Sequence, residues 1–172
     1  GRVCFVAGDA ERLGFAGGAF DAVICECAFC TFPDKHAAAA EFARVLRPGG
    51  RVGLSDLTRS GRLPSPLDGL VAWVACIADA RPVGDYVTYL ATAGIAADLV
   101  ESHDVALGEL IEGIRGKLLA AELLVKLRKL DLPGVDFNHA RLLARSAADA
   151  VQTGQLQQAF VDASHGVRSA IH

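Results

Sequence analysis

Apolar residues fall in short runs early in the chain and at helical spacing later, so its two halves predict different structure. Arg2-Val3-Cys4-Phe5-Val6-Ala7 is β-branched and aromatic and ends at Gly8-Asp9, which predicts a short buried strand over residues 2–7. Residues 10–19 mix Ala, Glu, Arg and Leu with three glycines and predict a turn or short helix followed by a loop. Phe20–Cys25 holds Ala22, Val23 and Ile24 in succession, the pattern of a strand covered on both faces. Pro33-Asp34-Lys35 opens a helix from about His36 to Leu46, with Ala39, Phe42, Ala43 and Leu46 on one side. Pro48-Gly49-Gly50 stops it, and residues 51–57 form a third strand. Residues 20–56 thus make one and a half βα units of a parallel sheet. Ligands of open α/β sheets bind outside the carboxyl ends of the strands, so the site is expected after Cys25.

The middle stretch, 59–104, changes character. Pro64-Ser65-Pro66 sits in a loop, residues 67–80 carry a mostly apolar helix containing Trp73 and Cys76, and Pro82–Ala93 is a helix stopped by Gly94. Ile95–Glu101 follows as a strand centred on Leu99 and Val100. From Ala106 to Leu130 the apolar positions 107, 110, 111, 114, 118 and 121 onward keep helical spacing. Leu132-Pro133-Gly134 breaks the pattern, and Asn138–Val151 resumes it with Leu142, Leu143 and Ala147 inward. The division expected is a partial α/β core at 1–104, a helical lid or packing segment at 105–152, and a poorly ordered tail at 153–172, where no strand or helix face is evident.

Composition narrows the partners. The 172 residues carry a net charge of −3 and 22% charged side chains, which gives no basic surface for duplex nucleic acid. No apolar run approaches the length of a membrane span, so neither a membrane nor a nucleic acid is an expected partner. Five cysteines, three of them within residues 25–30, do not form a secreted disulfide framework, and a cytoplasmic protein is expected.

Candidate chemistry gathers at two strand ends. Asp9 and Ala10 follow the first strand, where a carboxylate beside backbone N–H groups suits an exocyclic amine; Asp9 equally suits capping a short helix at Ala10–Leu13. Asp21 reads as a turn residue. Cys25, Glu26, Cys27 and Cys30 crowd the end of the second strand. The thiols serve as small buried apolar residues, as soft contacts to a metalloid substrate, or as a redox pair. A structural zinc site is not expected, because no second cysteine pair or histidine stands at ligand spacing. His103, just past a strand, is the histidine best placed for function. No residue stands out as a catalytic base.

Laid end to end, Gly8-Asp9-Ala10-Glu11-Arg12-Leu13, Phe20-Asp21-Ala22-Val23, Ala43-Arg44-Val45-Leu46-Arg47-Pro48-Gly49-Gly50-Arg51 and Ser55-Asp56 resemble the class I S-adenosylmethionine-dependent methyltransferases. The resemblance covers the third to fifth strands of that Rossmann-like α/β fold. It extends to about residue 101 through Asp85-Tyr86-Val87-Thr88-Tyr89-Leu90-Ala91-Thr92-Ala93-Gly94-Ile95. It implies S-adenosylmethionine as cofactor and a small molecule as methyl acceptor. By it Asp9 would bind the adenine amine, Ala10 would offer a backbone N–H to the ring, and the stretch from Cys25 through Glu26 to Cys27 would line the floor near the sulfonium; Cys27, Cys30 and His103 are the residues expected to face the substrate. Ile24-Cys25-Glu26-Cys27-Ala28 and Phe32-Pro33-Asp34-Lys35 look most like the arsenite methyltransferase branch, in which a cysteine at the position of Cys27 helps hold trivalent arsenic.

The resemblance also sets out what is missing. The family's first two strands and Gly-rich loop are not in this sequence, so the fold is expected to be incomplete, with helical additions in its C-terminal half. The strand at residues 2–7 would pair with residues 20–25, pair with another chain, or remain an exposed edge. A seventh strand, antiparallel to the sixth, belongs near residues 151–160, where Gln155, Gln157 and Gln158 make a poor strand. Such a chain would bind the cofactor weakly or not at all. Two other functions fit the same residues: an interaction module that dimerises through the apolar helices at 67–80 and 106–130, and a thiol-based metalloid binder.

Overall fold

The computed structural model describes residues 3–64, 67, 77 and 79–166. Its elements are β1 (Phe20–Glu26), a 3-10 turn (Phe29–Thr31), α1 (Lys35–Val45), β2 (Leu46–Arg59), α2 (Val83–Thr92), β3 (Ile95–Ser102), α3 (Asp104–Lys126), α4 (Phe137–Gln152) and β4 (Leu156–His165). The four strands form one sheet in the order β1-β2-β4-β3. β1 and β2 are parallel, whereas β4 runs antiparallel to both β2 and β3. β3 therefore points the same way as β1 and β2, and three carboxyl ends share one edge. This is the arrangement that the resemblance implies for the fourth, fifth, seventh and sixth strands.

Local chemistry accounts for the element boundaries. Asp34 caps α1 by accepting the Ala37 N–H at 2.9 Å, and Asp136 caps α4 through the N–H groups of Asn138 and His139. α2 ends at Gly94, whose φ of +81° supplies the left-handed residue that lets the chain turn into β3. Pro48-Gly49-Gly50 lies inside β2 rather than ahead of it. Gly49 takes φ +78°, and the β1–β2 register jumps from Phe20↔Leu46 to Ala22↔Arg51 across this bulge. A Cβ on Gly50 would stand 2.9 Å from the Arg47 carbonyl oxygen and from the Leu46 side chain, so the bulge closes only around glycine.

One face of the sheet carries Cys25, Val52, Leu54, Val161 and Ala163 and packs under α1 and α2. Phe29 sits at the centre of this layer, with ring contacts to Phe32, Phe42, Tyr86 and Tyr89. Burying aromatic side chains of this size contributes roughly 1.5–3 kcal/mol each. A second cluster joins α3, α4 and the ends of β2 and β4 through Leu57, Leu107, Ile111, Ala147 and Leu156.

Four expectations are corrected. Residues 3–7 form no strand: Phe5 is 95% exposed, and among the described residues the segment pairs with nothing. Strand propensity at Val3, Phe5 and Val6 has no neighbouring ladder to act on. Residues 10–13 form a turn, not a helix. Phe20–Glu26 is covered on one face only, and Ile24 on the other is 82% exposed because β1 lies at the end of the sheet order. Residues 156–165 are not a poorly ordered tail but β4, held between β2 and β3.

The strand at 156–165 buries Ala159, Val161 and Ala163 at period two. The glutamines that argued against it find partners: the Gln158 backbone N–H donates to Asp104 Oδ1 at 2.9 Å, and the Gln157 and Gln158 side chains reach Asp104 and Ser55. Leu142 points out of α4 and is half exposed, while Leu143 and Ala147 turn inward. Most of the helix expected at 67–80, with Trp73 and Cys76, lies outside the described residues.

Candidate functional site

The carboxyl edge of the sheet is built around Asp56, a carboxylate only 1% exposed. It continues the inward alternation Val52, Leu54, Asp56, Thr58 along β2. Its Oδ2 accepts the Cys30 N–H at 2.9 Å and its Oδ1 the Leu57 N–H at 2.8 Å. Cys27 donates its N–H to the Ser55 carbonyl at 2.8 Å. The loop after β1 is thereby fastened to the end of β2. The Tyr86 hydroxyl donates to the Leu57 carbonyl at 3.0 Å and accepts the Arg81 N–H at 3.2 Å. Lys35, buried in the first turn of α1, donates to Asp79 and to the Phe32 carbonyl, tying the end of the middle segment to the same edge.

The thiols differ in environment. Cys25 and Cys30 are buried, whereas Cys27 is exposed and takes φ +48°, a left-handed conformation uncommon outside glycine. Burial pushes the Cys25 thiol up to about 12, with the charge of Asp56 adding to the rise. Burial also raises Tyr86 well above the ordinary tyrosine range. Cys25 thus keeps its proton at physiological pH. Among the described residues no group of three or more His, Cys, Asp and Glu side chains could hold a metal ion.

Asp9 and Ala10 lie in a tight turn in which Asp9 Oδ1 accepts the Glu11 N–H at 2.9 Å and the Asp9 carbonyl accepts the Arg12 N–H at 3.1 Å. Glu11 Oε1 accepts the Asp34 N–H at 2.7 Å, which sets this turn beside the N-terminus of α1. Glu41 Oε2 takes the Leu13 N–H at 2.6 Å, and Arg44 donates to the carbonyls of Leu13 and Phe15 at 2.8 Å. Hydrogen bonds from Arg44 hold the Glu41 carboxyl below its usual range. The Asp9 turn and the Glu26–Cys27 loop therefore flank the same end of α1. An exposed carboxylate in a fixed turn fits a donor such as an adenine amine.

His103 stands apart. It heads α3 with its N–H on the Gln158 carbonyl at 2.8 Å, and its Nε2 lies 3.6 Å from Glu101. It shares the carboxyl edge with Cys27, but β3 is three strand spacings from β1, roughly 14 Å. Neither Asp56 nor the Glu41–Arg44 clamp was marked as functional by sequence reasoning. A charged residue continuing an apolar alternation in β2 was the signal available for Asp56; the clamp left none.

Comparison with known proteins agrees with this geometry. The family described as "Methyltransferase domain" matches residues 1–54. Methyltransferase GfsG of Streptomyces halstedii is 32% identical over 108 residues, covering 61% of this chain and 38% of that protein. An arsenite methyltransferase of Halobacterium salinarum is 33% identical over 107 residues, covering 60% of this chain and 27% of that protein. The solved structure of phosphoethanolamine N-methyltransferase 2 from Haemonchus contortus, in complex with phosphomonomethylethanolamine and S-adenosylhomocysteine, superimposes with a TM-score of 0.72. It is 17% identical, and the match covers 91% of this chain and 36% of that one. The chain spans well under half the length of the curated relatives it matches.

Proposed function

We propose that this chain, whose residues 1–54 belong to the methyltransferase-domain family and whose sheet has that family's fold, forms one side of a site that transfers a methyl group from S-adenosylmethionine to a small molecule. The observation that carries this reading is the sheet order β1-β2-β4-β3, with two parallel strands followed by an antiparallel pair and three carboxyl ends on one edge. Asp9 and Ala10 face the adenine, Cys25 and Glu26 form the floor beside the methionine, and the exposed Cys27 borders the acceptor, with Cys30 enclosed beneath its loop and His103 at the far end of the same edge. The cofactor supplies an activated methyl group. The chain's residues bind and orient, which accounts for much of the rate in such a transfer, and none of them is assigned as a general base. A cytoplasmic location goes with this reading.

No Gly-x-Gly-x-Gly occurs in the sequence, so grip on the methionine and ribose by these 172 residues is weak. Amide chemical shifts during titration with S-adenosylhomocysteine test both parts. Weak, saturable shifts at Asp9, Ala10, Glu26 and Cys27 are expected. Shifts elsewhere, or none, would overturn the site; micromolar affinity would overturn the incomplete grip.

The likeness to the Halobacterium arsenite methyltransferase favours a second reading in which Cys27 and Cys30 contact trivalent arsenic as substrate. Mass spectrometry after addition of arsenite checks it, with stoichiometric retention expected and lost in Cys27→Ser. Exposed Leu119 and Leu123 on α3 and Leu127 at its C-cap support dimerisation in addition, to be read by sedimentation.

A further inference from the structure

The geometry points to an acceptor with an uncharged apolar body, received in the cavity between α3, α4 and the ends of β2 and β4. This inference rests on the methyltransferase reading and names the substrate class of that site. The cavity measures about 300 Å³, the lower end of the range for small-molecule sites. Every described side chain that lines it is Leu, Ile or Ala, among them Leu57, Leu107, Ile111, Leu143, Ala147 and Leu156.

Its position connects it to the proposed chemistry. Leu57 directly follows Asp56 at the carboxyl end of β2, Leu107 lies one turn past His103, and Leu156 opens β4 beside that end. A molecule seated there with its long axis toward β1 would bring one end to the Cys27 loop, which is fastened to Ser55 on β2. The recess is open to solvent along Leu110 and Ile114, so an apolar wall stands exposed there, as binding grooves expose theirs. The core under α1 and α2 shows that this chain packs tightly elsewhere.

Charge argues for a neutral occupant. Arg115, Arg141 and Arg145 stand beyond the far rim rather than on the cavity wall, and the first two are paired with Glu112 and Glu122. Among the described residues no carboxylate lines the cavity to receive a cation. Apolar contact area is what the site offers, and this selects a prenyl- or alkyl-like body over a sugar, an amino acid or a phosphate ester.

Titration of the 172-residue chain with farnesol, a neutral prenyl alcohol, tests the inference without any cofactor. One-to-one binding is expected, with methyl chemical-shift changes at Leu107, Ile111 and Leu143. Leu110→Gln and Ile114→Gln alter half-exposed positions on the cavity wall and should each weaken binding at least tenfold, on the order of 1.4 kcal/mol. Leu123→Gln, an equally exposed leucine off the wall, should leave it unchanged. Ala144→Phe fills the space directly and should abolish binding. Absence of farnesol binding, or binding indifferent to the wall variants, overturns the inference. Either result is independent of whether S-adenosylhomocysteine shifts the Asp9 turn, so the two readings fail separately.

Discussion

The two apolar clusters of this chain use the same residue types to opposite ends. Under α1 and α2, Phe29, Leu90, Ile95 and Tyr86 are almost wholly enclosed and interlock around the sheet. Between α3 and α4, Leu107, Ile111 and Ala147 are buried, yet they border open space of about 300 Å³. Apolar composition alone does not separate the two. Closure does: the first cluster is clamped by parallel strands and ring contacts from four aromatics, while the second rests on two helices that meet the sheet mainly at one end. The first holds the fold, and the second leaves a volume that a ligand can complete.

A matched pair of truncations would break this comparison most forcefully. Leu90→Ala opens a hole where none exists and should cost about 3–5 kcal/mol. Leu143→Ala enlarges a space already present and should cost under about 2 kcal/mol, because fewer packed neighbours are lost. Urea denaturation followed by far-UV circular dichroism measures both. Equal costs would mean that the α3–α4 space is closed in solution.

Asp56 gives the next largest effect. Asp56→Ala removes the acceptor of two backbone donors, Cys30 N–H and Leu57 N–H, at a site 1% exposed. Leaving buried donors unpaired should cost roughly 2–3 kcal/mol. The damage should be local as well: amide exchange should quicken over residues 27–31, which lose one of their two ties to β2, more than over α3 and α4. Uniform quickening would show that Asp56 supports the whole sheet rather than the loop at its edge.

How far the chain was legible from its residues follows from the same contrast. β1, α1, β2, α2 and β3 were all anticipated, because each carries its own capping residue, glycine stop or apolar run. Asp34, Gly94 and the Ala22-Val23-Ile24 run act locally. β4 was not anticipated, since Gln155, Gln157 and Gln158 look unsuited to a strand until Asp104 and Ser55 are placed beside them. Residues 3–7 failed in the other direction, their strand propensity meeting no partner. The Asp9 turn and the Glu26–Cys27 loop were found from their position after strand-like segments. What fixes them, Asp56 and the Glu41–Arg44 clamp, was hidden because those contacts span 26 to 31 residues.

The thiols sharpen the contrast between closed and open regions more gently. Cys25 lies in the closed cluster with its thiol pushed up to about 12, while Cys4 is exposed. Iodoacetamide at pH 8 should modify Cys4 and spare Cys25 until the protein unfolds, as peptide mass mapping would show. Stability carries the same sign. The folded state keeps the Cys25 proton up to about 12, whereas the unfolded thiol loses it near 9.0. The contribution is therefore whole below pH 9 and declines between pH 9 and 12, by up to about 1.4 kcal/mol per pH unit. Raised Tyr86 adds to the decline. A Cys25→Ala variant should show a shallower fall over that window, and an unchanged slope would place Cys25 in contact with water.

The smallest effect belongs to the surface clamp. Arg44→Ala removes two donors to the Leu13 and Phe15 carbonyls and frees Glu41 from its ion pair. The groups are solvent-facing, so global stability should hardly move. The turn that carries Asp9 and Ala10 should nonetheless loosen, because Glu41, still bound to Leu13 N–H, loses the guanidinium that orients it. Faster proteolysis between residues 9 and 17 is the expected readout, together with smaller S-adenosylhomocysteine shifts at Asp9 while those at Cys27 persist. Loss of shifts at both positions would mean that the Asp9 turn and the Cys27 loop move as one body. The clamp would then order the whole cofactor edge rather than one side of it.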